Sequence, residues 1–198
     1  MIPWPAVAAI YGLLGAMAGL GGYYWFESPG IHPAPWLELP PLEAHVYSAV
    51  LGGTFGLLTV VASRSLIRRS ALVRLLSSEL RPLAQGLPGV AIVTLAVLSA
   101  VGEELLFRGL LQPATNWFVQ AIVFGLVHQL PGRARWIWVA WATIMGFALG
   151  ALYALTGSLV GPILAHAIVN GMNLRLLQAH DAAPSRRGLG GILGSLHP

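Results

Sequence analysis

The chain has 198 residues, 56% hydrophobic and 9% charged, with a mean hydropathy of +0.73, whereas a soluble domain carries roughly 25% charged residues. This excludes an ordinary water-soluble globule, and the length suits one membrane-embedded unit. The net charge of +4 comes from arginine without lysine. Cysteine is absent and Asp181 is the only aspartate, so disulfides, thiolate chemistry, serine–lysine dyads and paired-aspartate proteolysis are all excluded.

A hydrocarbon core about 30 Å thick takes about 20 apolar helical residues. Six stretches fit or nearly fit, residues 2–26, 44–62, 87–111, 114–130, 136–155 and 159–177. The expected fold is all-α, a polytopic transmembrane bundle of about six spans forming one domain over residues 1–178. The first stretch lacks a basic leader and runs into Tyr23, Tyr24, Trp25 and Phe26, a belt suited to a membrane interface, so it is expected to remain in the mature chain.

Residues 29–41 read as a Pro-rich outer loop. Residues 64–86 mix Leu72, Val73, Leu75, Leu76 and Leu80 with arginines. That pattern predicts an amphipathic helix on the cytoplasmic surface, against anionic lipid headgroups; a plain positive-inside loop would carry the same arginines. Residues 179–198, rich in Gly, Ser and Arg, are expected to form a disordered cytoplasmic tail. Small residues four apart, Gly15 with Gly19, Gly52 with Gly56 and Gly146 with Gly150, favour close helix approach.

Arg64, Arg68, Arg69, Arg74, Arg81, Arg133, Arg135, Arg175, Arg186 and Arg187 fall on one side of the six-span arrangement, and the opposite loops hold Glu27, Glu38 and Glu43. By the positive-inside rule both termini are cytoplasmic. The arginines therefore mark topology, and nucleic acid is not an expected partner. Arginine-only basicity with abundant Ala, Gly and Pro suits a GC-rich bacterial genome, which points to a multi-pass protein of a bacterial inner membrane.

Within the spans lie Glu103, Glu104, Arg108, His128, His166 and Asn170. An ionised group near the bilayer centre costs at least about 2.5 kcal/mol, so such residues face the bundle interior and serve a site. Helical neighbours four apart share a face. Glu104 can therefore pair with Arg108, Phe124 and His128 point the same way, and His166 and Asn170 form one polar stripe. Glu103, rotated by about 100° from Glu104, is left to present a carboxylate to a cavity. A carboxylate, two imidazoles and a carboxamide suit amide hydrolysis by activated water: the carboxylate as general base, an imidazole orienting the water, and His166 with Asn170 donating to the oxyanion.

Glu103-Glu104-x-x-x-Arg108, Phe124-x-x-x-His128 and His166-x-x-x-Asn170 resemble the three ordered motifs of the CPBP intramembrane proteases. That superfamily includes the CAAX prenyl endopeptidases and the bacteriocin-processing or self-immunity proteins. The resemblance covers residues 97–173. It implies a glutamic-type intramembrane endopeptidase in which Glu103 activates water with His128, Glu104 and Arg108 support the site, and His166 and Asn170 form the oxyanion hole. It also implies membrane lipid as the surroundings and a membrane-associated protein or peptide as substrate; the composition, which suits a bacterial genome, favours a peptide precursor or a C-terminal sorting helix over a prenylated protein.

No cofactor is expected, and no His-Glu-x-x-His motif occurs; nevertheless Glu103, His128 and His166 are residue types that can hold a catalytic zinc with one position open. A non-catalytic reading is an immunity, scaffolding or proton-relay protein using the same groups. Ser158, following Gly157, reads as a helix cap, and His32, His45, His180 and His197 carry no pattern. One tension concerns depth. Glu103 lies well across the bilayer from the start of span three, whereas His128 ends span four. Either span three starts earlier or tilts, or its helix breaks near Gly102, or span four is shifted.

Overall fold

The computed structural model describes residues 3–26 and 32–179, among which seven helices make up the regular structure. Helix α1 is Trp4–Phe26 and α2 is Pro41–Arg69, a 29-residue helix that starts three residues before the expected span and ends seven after it. Ser70 ends α2 and caps the next helix, its Oγ accepting from the Val73 N–H at 3.4 Å. Helix α3, Ala71–Ala84, occupies most of the segment expected to be amphipathic. Helix α4, Gly89–Ala114, is continuous over 26 residues but widens to π-helical turns over Leu105–Leu111. Helices α5, α6 and α7 are Trp117–Val127, Arg135–Thr156 and Val160–Ala179. Beyond Ala179 the expected disordered tail lies outside the described residues, as do residues 29–31 of the outer loop.

The all-helical bundle agrees with the sequence reading. Four helices, α1, α2, α4 and α6, are long and apolar enough to cross a membrane. Helix α7 has 20 residues and carries His166, Asn170, Asn173 and Arg175. The fourth expected span, residues 114–130, is the 11-residue helix α5, about 16 Å long at 1.5 Å per residue and thus half a bilayer. Its apolar run overstated the helix because Asn116 starts it late, its Oδ1 accepting from the Val119 N–H at 2.8 Å, and the backbone leaves helical geometry at His128.

Glycines set the register between helices. Gly15 of α1 packs on Gly102 of α4, where a Cβ would stand 3.3 Å from the Gly102 Cα. On α2, Gly52 meets the backbone of Gly161 and Gly56 meets Ala165, while Gly146 of α6 faces Ala121 of α5. With α1 held parallel to α4 and α7 antiparallel to it, α1 begins and α7 ends at the same end of the bundle, beside α3. The apolar core joins Val60, Phe107, Phe124, Met145, Leu149 and Val169. The outward faces of α1 and α2 expose Leu13, Met17, Leu20, Leu57, Leu58 and Val61.

Candidate active site

The half-length α5 resolves the depth problem. From Glu103 the chain runs 11 residues to the end of α4 at Ala114 and, after a short turn, returns through the 11 residues of α5 to His128. Equal lengths out and back bring the two side chains to one level. The structure uses a way that the sequence reading did not name, a fourth segment shortened at both ends, and α4 is unbroken at Gly102.

Glu103 Oε2 stands 3.5 Å from His128 Nε2 and 3.8 Å from His166 Nε2. Both separations exceed a direct hydrogen bond, so lone pairs of that oxygen remain available to a third group held among the three side chains. The ring tautomers follow from the opposite nitrogens. His128 Nδ1 lies 2.6 Å from the Phe124 carbonyl oxygen, which can only accept, so Nδ1 carries a proton and a neutral His128 has a bare Nε2 toward Glu103. His166 Nδ1 lies 2.7 Å from Glu104 Oε1 and donates to it.

Glu104 is fully buried, and its Oε1 also accepts from Arg108 Nη1 at 2.8 Å. The i,i+4 pair expected from spacing is thus present, and His166 joins it as a third member. Arg108 reaches further, donating from Nη2 to the Gly146 carbonyl at 3.3 Å, and its guanidinium lies 4.4 Å from the Phe124 ring centroid, a cation–π contact. Phe124 is central to the site. Its ring meets Phe107 edge-on at 4.9 Å and His128 at 4.3 Å. Two carboxylates against one guanidinium leave the cluster one negative charge when both imidazoles are neutral, so one protonated imidazole balances it.

Asn170, one turn after His166, donates from Nδ2 to Ser99 Oγ at 3.1 Å; its second N–H is not used in that bond. Glu103, His128, His166, Asn170 and Phe124 line one cavity of about 640 Å³. Its other walls come from Trp4 and Val7 of α1, Leu80 and Leu83 of α3, and Leu177 of α7. It therefore runs from Glu103 toward the end of the bundle where the arginines of α2 and α3 lie. Among the described residues, no three His, Cys, Asp or Glu side chains are arranged to hold a metal ion.

Several contributors escaped the sequence reading. Tyr11 lines the cavity that Glu103 also lines. Trp138 packs edge-on to His128 with ring centroids 5.9 Å apart. Glu79 of α3 accepts from the Arg133 and Ala134 N–H groups at 3.0 Å each, fixing the loop that follows His128. None carries a spacing signal, since each acts across elements. The cap reading of Ser158 matches its acceptance from the Val160 N–H at 3.2 Å. His45, which showed no pattern, is 2.8 Å from the same hydroxyl.

The apolar helices and the interior polar cavity together define a helical membrane protein. Residues 85–172 match the family model described as type II CAAX prenyl endopeptidase Rce1-like. All three motifs fall inside it. Over 79 residues the chain is also 34% identical to a Bacillus subtilis (strain 168) protein described as uncharacterized protein YpbD. This match covers 40% of the chain and 41% of that relative, so the chain spans about two fifths of the relative's length. No solved structure matches.

Proposed function

We propose that the chain is a glutamic-type intramembrane endopeptidase of a bacterial inner membrane, with its cavity open to the cytoplasmic side. The observation that carries this reading is the approach of both imidazole Nε2 atoms to one carboxylate oxygen, 3.5 and 3.8 Å from Glu103 Oε2. In the proposed reaction Glu103 takes a proton from a water that His128 Nε2 orients, and the resulting hydroxide attacks the scissile carbonyl carbon. The oxyanion accepts from the free N–H of Asn170 and from His166 in its imidazolium form, whose Nδ1–H stays on Glu104. Arg108 balances Glu104 throughout. As the C–N bond breaks, Glu103 returns its proton to the departing amine, leaving a carboxylic acid and an amine.

The cavity walls beyond the polar cluster are mostly apolar, which supports a substrate from the membrane: a peptide precursor or a C-terminal sorting helix. The test uses the full chain in proteoliposomes with a mass-resolved library of membrane-protein peptides. Wild type is expected to generate new termini, and Glu103→Gln none, with insertion and folding unchanged. Cleavage by Glu103→Gln at the wild-type rate would overturn the proposal. Activity that survives strong chelators supports the water–carboxylate chemistry. Activity lost to chelators and restored by zinc would instead assign Glu103, His128 and His166 as metal ligands.

A further inference from the structure

Helix α1 belongs to none of the three motifs and lies outside the segment that matches the family, yet it places a phenol in the catalytic cavity. Its position is dictated by backbone packing. Gly15 lies against the Gly102 Cα, and a Cβ on Gly102 would come within 2.7 Å of the Tyr11 carbonyl oxygen. Neither helix can slide along this contact without a clash, so the residue one turn before Gly15 is fixed beside the residue that follows Gly102. Those residues are Tyr11 and Glu103. The ring is partly buried, and both residues line the 640 Å³ cavity.

Glu103 needs such a partner. Its Oε2 has no direct hydrogen bond among the described residues, and both imidazoles stand beyond hydrogen-bond range. A carboxylate with a freely turning χ3 would spread its lone pairs over many directions. We propose that Tyr11 is a positioning residue: its hydroxyl donates to the Glu103 carboxylate and holds Oε2 aimed between His128 and His166. This inference rests on the proteolytic reading only for its kinetic consequence, because the hydrogen bond itself can be measured without turnover.

Two measurements test it on the full chain in proteoliposomes. The first is the Glu103 carboxylate stretch, isolated by the infrared difference between ¹³C-glutamate-labelled wild type and Glu103→Gln. It is expected to move in Tyr11→Phe, which keeps the ring and removes the donor, and to stay in place in Tyr23→Phe at the opposite end of α1. A stretch unmoved in Tyr11→Phe overturns the proposal whatever the activity. The second uses a quenched fluorescent peptide built on one cleavage site from the library. Loss of one charge-assisted hydrogen bond is expected to lower kcat roughly tenfold with KM within about twofold. Unchanged kcat, or KM rising in step with the loss, overturns it. A moved stretch in a chain that cleaves no peptide would uphold the hydrogen bond and reject the protease reading.

Discussion

Glu104 shows how a charge survives at bilayer depth. Its carboxylate and the Arg108 guanidinium are both wholly buried, which is tolerable only because each satisfies the other and His166 and the Gly146 carbonyl take further hydrogen bonds. Removing one partner of such a pair strands the other. Arg108→Met is therefore expected to cost roughly 3–5 kcal/mol, read as unfolding in detergent, and the double variant with Glu104→Gln should recover part of that loss. Equal losses in single and double variants would show that the ion pair is not what holds this helix. The pair itself was legible from i,i+4 spacing. The role of His166 in it was not, because 62 residues separate the partners and spacing carries no information across helices.

At the scale of elements, hydropathy located the helices but misjudged two lengths: α2 continues helical through arginines that hydropathy leaves out, and apolarity continues through the polar caps that end α5. The signals were present as Asn116 at its start and Pro131-Gly132 beyond its end, but a window tuned to 20 residues averages over them. Helix–helix contacts were foreshadowed by the glycine pairs, although Gly161, which faces Gly52, belonged to none. A Cβ at Gly161 would meet the backbone of Ser48, whereas one at Gly12 would meet nothing within 4 Å. Gly161→Ala is expected to lower the melting temperature of the detergent-solubilised protein by several degrees, and Gly12→Ala to leave it unchanged or slightly raised. Glu79 ties α3 to Arg133 and Ala134, just before α6, in the manner of a helix cap, and Glu79→Ala is expected to cost about 1 kcal/mol and to speed amide exchange over residues 129–134.

At the scale of the whole molecule, the arginines and the packing agree on direction. Helices α1, α4 and α6 run one way and α2, α5 and α7 the other, so the start of α1 and the end of α7 share the arginine-bearing end. The cysteine-free sequence makes this directly testable with single reporters. Glu38→Cys, in the loop before α2, is expected to react with a membrane-impermeant maleimide on intact cells, and Arg69→Cys only after permeabilisation; the reverse pattern would invert the topology. The class of fold and the residues of the motifs were readable because both rest on local periodicity, while their meeting depends on where each helix stops. That stop has its own consequence. Helix α5 ends level with Glu103, which lies 14 residues into α4, about 21 Å along its axis. The strand of backbone from His128 to Ala134 thus leaves helical pairing away from the rim, where acyl chains can offer its peptide groups nothing. Glu79 and the Gly125 and Val127 carbonyls satisfy four of its amides, and its remaining polar groups call for solvent. The fold itself thus demands a wet crevice beside the carboxylate, so hydrolytic water would be resident before any peptide arrives.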